Sequence, residues 1–532
     1  MGGRWTTHGL ALAAGLALAT AAAGQGYKVD VLVPGSAFHG VHGVRMSPTG
    51  ELYAGSVAGQ SLYVVDIAKG TARVAVGPPQ GMADDIAFGP GGQIAWTAIS
   101  AGVVYTRRGT GPVEVLAKVP SVNSIAFSRD GKRLFAAQVF GGDDLFELDP
   151  SGLNPPRRIR EKMGGFNSFS PGPDGWLYGP LWFKGQVAKV NPDTGELVVV
   201  AEGLTTPAAA KFDGHDNLYV LDTATGELLR VDIKTGAKVR AAQLSPSLDN
   251  LTIDTRDRIF VSNMADNGIQ EVDGKTGRVR QVIKGRLAFP VDIALASDGG
   301  RETIYVADTF ALRAVDAKTG AVRDIARSHA AGTRIQYPAA IGAGPNWIAV
   351  GGGASVQIFD RKSGAFVRSL SGLRGVSSVL GLADGSVLVG TLGGRLESIT
   401  GDGDPITLTK DLIATGLAEA PAGGVYVSEG AVGRISRVDR KTGARTTVAE
   451  GLKGPKGLAV APDGRVIVLE VGAKQVTAID PRTGAKAVLA ANLPVGLIDR
   501  GGPSAGGVAV GRSGVIYVSS DVENAIYRLT PR

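Results

Sequence analysis

Two aspartates, two asparagines and a histidine stand in one repeated context in the first half of the chain. They open the pairs His42-Gly43, Asp84-Asp85, Asn123-Ser124, Asn167-Ser168 and Asp249-Asn250, each heading a short run of apolar and β-branched residues. Carboxylate and amide oxygens gathered at one point suit a hard cation, most simply Ca²⁺ or another hard divalent ion. Without a cation, clustered carboxylates repel one another and keep their protons to higher pH. An imidazole with a reference pKa of about 6.5 is mostly neutral at pH 7 and able to take a proton from water. The candidate metal ligands are therefore Asp84, Asn123, Asn167 and Asp249, and the candidate catalytic base is His42. Asp85 and Asn250 are candidate supplements to the coordination shell, although strand alternation points them away from their neighbours' side. His39 is a candidate partner for His42, with a surface loop histidine as the plainer reading.

Residues this far apart meet only if the chain repeats, and it does. One unit runs Lys456 to Gly464, Arg465 to Leu469, Gln475 to Asp480, the turn Thr483-Gly484, then Ala485 to Ala490. Four short alternating runs separated by turn residues describe a four-stranded antiparallel sheet. The heads of the first strands are His42, Asp84, Asn123, Asn167, Ala208, Asp249, Val291, Ala339, Ser377, Thr415, Lys456 and Gly506, spaced 38 to 50 residues apart. That period belongs to propeller blades. The last unit lacks an outer strand, and Tyr27 to Val33 is a spare strand of suitable length. The expected fold is all-β: twelve four-stranded blades in tandem six-bladed β-propellers, the N-terminal strand closing the last blade. The expected units are a closing strand within 24–38, a first ring over 39–290 and a second over 291–532. A single ring of twelve blades is the alternative.

The first strand of each blade lines the central tunnel, so its head lies at one mouth. Five of the first six heads are polar, whereas the last six include Val291, Ala339 and Gly506. The repeat is its own control: blade packing tolerates small heads, so the polar set needs another cause. Metal binding is one cause; capping of blade-to-blade hydrogen bonds around a water-filled tunnel is the other. Loops beside the heads should wall a pocket with Phe140, Trp182, Phe183, Asp222 and Asn263, which suits a partly apolar small molecule.

The first 23 residues read as a signal peptide: Arg4 and His8, the apolar run Leu10 to Ala19, then Ala21-Ala22-Ala23. Export to the periplasm or beyond follows, and the run is too short to span a membrane. There is no cysteine, so no disulfide staples the fold. The net charge of +7 is scattered along the chain, unlike the basic stripe of a nucleic-acid binder. Lys-Thr-Gly at Lys234, Lys275, Lys318 and Lys441, Asp213 to Asn217, Gly401 to Asp404 and Gly351 to Gly353 all sit where hairpin turns fall.

The tunnel motifs resemble those of the six-bladed calcium-dependent superfamily of gluconolactonase/regucalcin, paraoxonase and strictosidine-synthase-like proteins. Asp84-Asp85-Ile86 resembles the acidic pair opening the paraoxonase calcium site, Asn123 and Asn167 its two asparagines, and Asp249-Asn250 its Asp-Asn pair. His42-Gly43 resembles the paraoxonase His-Gly, whose histidine is the proposed base. The likeness covers about residues 40–290, and the second half shares only the generic blade. His42 precedes the acidic pair here, the reverse of the paraoxonase order, and His42-Gly43-Val44 replaces the Glu-Gly-Pro of gluconolactonases. The resemblance implies a calcium-dependent hydrolase of lactones or esters. The rival is a non-catalytic propeller whose tunnel cation is structural and whose faces bind a ligand or protein. No motif favours a lyase or a quinone-dependent oxidoreductase.

Overall fold

In the computed structural model, residues 26–333, 335, 337–497 and 505–532 are described. The expected signal peptide lies outside them. The short alternating runs become 48 strands, and the only helical segments among the described residues are three 3₁₀ turns. The strands pair antiparallel into twelve four-stranded sheets, eleven of them in plain chain order. In the twelfth, Val508–Val510, Ile516–Ser520 and Ala525–Pro531 are completed by Tyr27–Val33 as the outermost strand. Tyr27 faces Pro531 and Val31 faces Tyr527, so the expected closure is made. It gives the last sheet the fourth, outer strand that every other blade has.

The blades form two closed rings. Val41–Met46 of blade 1 packs along Leu248–Ile253 and Arg258–Asn263 of blade 6. Met46 N donates to Thr252 Oγ1 at 3.0 Å across that seam. Pro290–Asp298 of blade 7 packs likewise against Val508–Val510 and Ile516–Ser520 of blade 12. A single twelve-bladed ring is thereby excluded. The core lies between blades: Val44, Leu52 and Tyr63 of blade 1, for example, interleave with Phe260 and Ile269 of blade 6. Each such side chain is worth about 1.5–3 kcal/mol when buried.

The chain crosses between rings twice, after Val33 and after Ile283. At the first crossing Phe38 O accepts from Asn267 Nδ2 of ring 1 and Asn524 Nδ2 of ring 2. At the second, Asp308 accepts from Ala288 N at 2.9 Å and is paired with the buried Arg313. Arg327 Nη2 reaches back to Asp266 Oδ1 at 2.7 Å. The two rings are thus tied by a shared buried polar network.

One local feature decides what reaches the tunnels. The first strands of blades 1, 3, 5 and 6 shift register at their heads, between Val41 and Val44, Val122 and Ser124, Pro207 and Ala209, and Leu248 and Leu251. A bulge sets two successive residues against one partner and re-aims a side chain. The head and its successor can then both face the axis.

Candidate functional site

The mouth of the first tunnel opens into a cavity of ≈ 200 Å³, and His42, Asp84, Asn123, Asn167 and Asp249 all line it. Asn123 Nδ2 donates to Asp84 Oδ2 at 2.5 Å. Ser124 Oγ lies 2.9 Å from the amide oxygen of Asn123 and 3.0 Å from that of Asn167, a donor shared between them. The Asp249 carboxylate accepts no hydrogen bond among the described residues, and its only charged influence is repulsive.

The electrostatics follow from this placement. Burial, then the charges of Asp249 and Asp85, hold the Asp84 carboxyl well above the usual carboxylate range, against the single amide bond from Asn123. Burial and Asp85 push Asp249 up to about 7. Neither carboxylate has a cationic partner at the mouth. Among the described residues no three His, Asp or Glu side chains converge as a metal-ligand group. The oxygen set here is two carboxylates supplemented by two amides.

His42 is 7% exposed, and Gly40 places it. Gly40 has φ of +72°, and a Cβ there would come within 2.3 Å of Phe310, whose ring stands edge-on to His42 at 5.2 Å. Gly43 has no such torsion, but a Cβ would strike Asp84 O at 2.3 Å, so a glycine lets blade 1 close on the acidic pair. The Nδ1 of His42 bonds Gly40 O at 2.9 Å, which fixes the proton on Nδ1 and leaves the Nε2 lone pair free. Burial pushes the imidazole down to about 4, with His329 acting in the same direction.

Asp85 and Asn250 correct the expectation from alternation: both point into the tunnel beneath the mouth. Asp85 accepts from Ile86 N at 2.9 Å, Asn250 Nδ2 at 3.1 Å and Ile125 N at 3.3 Å. Ser168 Oγ donates to Asn250 Oδ1 at 2.8 Å. Lys211 Nζ lies 4.0 Å from Asp85 and donates to Phe169 O at 2.9 Å. Burial lowers Lys211 to about 8, while Asp85 opposes that fall. The physical reason for the correction is the bulge before Leu251 and, in blade 2, the setting of Asp84 and Asp85 together against Thr97, with Asp84 N donating to Thr97 O at 2.9 Å and Thr97 N to Asp85 O at 3.1 Å.

The second ring explains what Asp85 does. Asp292, which follows the head Val291, accepts from Ile293 N at 2.9 Å and from Ile341 N of the next blade at 3.0 Å. Asp85 makes the same two bonds, to its own successor and to the next blade. Both act as blade-to-blade staples. Asp84 and Asp249 have no such counterpart.

Phe140 and Trp182 line the cavity as expected, 5.4 Å apart and edge to face. Phe183 touches Phe140 at 5.8 Å but is 58% exposed and stands outside the lining. Four expectations are corrected, Phe183 the first of them. Asp222 caps its own loops, accepting from Thr205 N at 2.6 Å and Ala224 N at 3.1 Å. Asn263 donates to Ser245 O at 2.9 Å and accepts from Asp266 N at 2.9 Å, which uses it up as a turn residue. His39 is no partner for His42: its ring nitrogens meet Tyr63 OH at 3.1 Å and Val522 O at 2.9 Å, joining the two rings.

Sequence reasoning missed the roof. Thr309, Phe310, His329 and Tyr337, all from the second ring, line the same cavity. Arg327 Nη1 donates to Pro246 O at 3.2 Å and Ala331 N to Ala224 O at 2.8 Å, which docks this segment onto the first ring's mouth. Rings then follow edge to face: Trp182 to His329 at 5.6 Å, His329 to Tyr337 at 5.3 Å, Tyr337 to Phe310 at 5.8 Å. Burial lowers His329 to about 4. Burial, then Asp84 and Asp249, raise the Tyr337 hydroxyl. A signal was present: the step from Val291 to Ala339 is 48 residues, which leaves a long loop before blade 8.

A family profile described as outer membrane protein assembly factor BamB matches residues 183–343. That is 161 of 532 residues, and the match runs across the junction between the rings. It is a different propeller family from the one the tunnel motifs resemble. No curated protein sequence matches. Among solved structures, a streptogramin B lyase is 15% identical over 53% of this chain and 95% of its own, with a TM-score of 0.39. The virginiamycin B lyase of Staphylococcus aureus is 14% identical over 53% and 95%, with a TM-score of 0.38. The extracellular domain of a one-component system of B. thetaiotaomicron is 12% identical over 93% and 76%, with a TM-score of 0.34. At such values these likenesses carry no argument about chemistry.

Proposed function

We propose that this chain is an exported, divalent-cation-dependent hydrolase of lactones or esters, acting in the cavity that the two rings enclose. The observation that carries the reading is Asp84 and Asp249, two half-buried carboxylates facing one cavity with no cationic side chain to balance them. Their repulsion is the condition a hard cation relieves, and Asp84, Asp249, Asn123 and Asn167 supply oxygens of the kind Ca²⁺ takes. When bound, such an ion polarises a carbonyl and stabilises developing negative charge.

The chain's own residues do the rest. His42 is held in one tautomer by Gly40 O, so the Nε2 lone pair is the atom offered to a water in the cavity. Phe140, Trp182, Phe310 and Tyr337 wall the cavity against bulk water and favour an apolar flank on the substrate. Export to the periplasm or beyond rests on residues 1–23 alone.

One observation favours the second reading, a binding propeller with a structural cation. An imidazole near pKa 4 is neutral at pH 7 but a weak base. Elemental analysis after purification in calcium, then a panel of lactones and esters with and without chelator, decides between them. A stoichiometric divalent ion with chelator-sensitive turnover supports the hydrolase. The ion without turnover supports the binding reading, and no ion overturns both.

A further inference from the structure

We infer that the cavity between the rings is also a binding site for a small organic ammonium ion. This goes beyond the hydrolytic reading and does not rest on it. Three independent features of the cavity point to a cationic, carbon-bearing occupant.

The first is charge. Asp84 and Asp249 face the cavity, and among the described residues no Lys or Arg lines it. The cations of the first tunnel lie beneath the mouth, Lys211 Nζ 4.0 Å from Asp85 and Arg45 within its field. The second is the wall. Phe140, Trp182, His329, Tyr337 and Phe310 form an unbroken edge-to-face series with successive centroids 5.3–5.8 Å apart. Aromatic walls attract cations through the ring quadrupole, most strongly where water is excluded, and aromatic cages hold quaternary ammonium groups. The third is His42. It is 93% buried by its 7% exposure, lines the cavity, and its Nε2 finds no partner among the described residues. A neutral imidazole presenting a lone pair adds to the negative field at the mouth.

Size narrows the class. A cavity of ≈ 200 Å³ is below the roughly 300–1,000 Å³ of pockets for drug-sized ligands, so the occupant is small. The roof comes from the second ring and the acidic floor from the first, so neither ring alone makes the site.

Calorimetric titration of the purified full chain tests this, using choline and its uncharged isostere in which carbon replaces nitrogen. On metal-free protein choline should bind about tenfold or more tightly than the isostere. Asp249→Asn and Trp182→Leu should each weaken choline by a comparable factor, and calcium should weaken it by competition if the acidic floor takes that ion. Tyr337→Leu serves in place of Trp182→Leu if the latter loses its near-ultraviolet circular dichroism. Equal binding of the two probes, no binding of either, or choline binding indifferent to calcium and to Asp249→Asn would each overturn the inference. Because hydrolysis is assayed separately, choline binding without metal or turnover would sink the proposed function and leave this site standing. Turnover without choline binding would do the reverse.

Discussion

Each tunnel holds one staple aspartate and one buried lysine drawn from across the ring. In the second ring these are Asp292 and Lys456; in the first they are Asp85 and Lys211. Burial raises Asp292 to about 6 and lowers Lys456 to about 7, and each is favoured in its charged form by the other. The first ring adds Arg45 beneath the mouth, and Asp84 and Asp249 at the mouth, where no cation stands. Identical blade architecture therefore tolerates a balanced axis, and two carboxylates at a mouth without a cation are not a requirement of the fold. Surplus buried charge of one sign is costly unless a partner arrives. That difference separates structure from function within one chain.

The largest effect that would break this comparison is on metal binding and turnover. Calcium at about a hundred times its dissociation constant should raise the thermal midpoint by about 5–10 °C. Asp84→Ala with Asp249→Ala should abolish both the rise and the hydrolysis, whereas Asp292→Asn should leave the calcium response intact. A calcium response that survives the double substitution would place the cation elsewhere.

Next in size is His42. His42→Gln keeps a hydrogen-bonding group but removes the base, so turnover should fall about 10²- to 10⁴-fold with metal content unchanged. Unchanged turnover would leave His42 as a wall residue, and loss of metal would move it into the coordination shell.

A smaller pair of effects differs in size. In metal-free protein at pH 8, Asp249→Asn should stabilise, because it removes a carboxylate that burial and Asp85 hold up at about 7. Asp292→Asn should stabilise less, because burial holds Asp292 up only to about 6 and its replacement also weakens two backbone bonds to a charged acceptor. Denaturant titrations of both variants would show the difference. If Asp249→Asn gains no more than Asp292→Asn, the first tunnel is as balanced as the second.

How far the sequence could be read depended on what the repeat carries. Head spacing placed all twelve blades and the closing strand, because turns and alternation are local and recur. The convergence of His42, Asp84, Asn123, Asn167 and Asp249 followed from the same register. Asp85 and Asn250 were misdirected because a bulge is a matter of pairing, and alternation alone does not reveal it. Asp222 and Asn263 end strands as wall residues would, yet they are consumed by their own loops, as polar side chains at a strand end often are. Phe310, His329 and Tyr337 escaped because no repeat encodes how one ring sits on the other. Only the long step before Ala339 hinted at them.

The smallest effect concerns acid. The folded-state pKa of His42, about 4, is depressed against 6.5 in the unfolded chain. Its contribution to stability is fully present above pH 6.5 and is lost as pH falls toward 4, because only the unfolded state takes up the proton in that window. At pH 5.5 the loss amounts to about 1.4 kcal/mol. His42→Gln should remove that share, so the wild type and variant should differ by a constant above pH 6.5 and the wild type should fall away below it. Thermal midpoints from pH 4 to 8 in metal-free buffer measure the difference, which cancels the other titrating groups, His329 among them. The second tunnel has no histidine at its strand heads, so variants there should not reproduce this acid limb. A difference that stays constant to pH 4 would mean that His42 titrates as in water. The mouth would then be wetter than its buried walls imply, and a histidine of ordinary basicity would strengthen the case for catalysis over a purely structural cation.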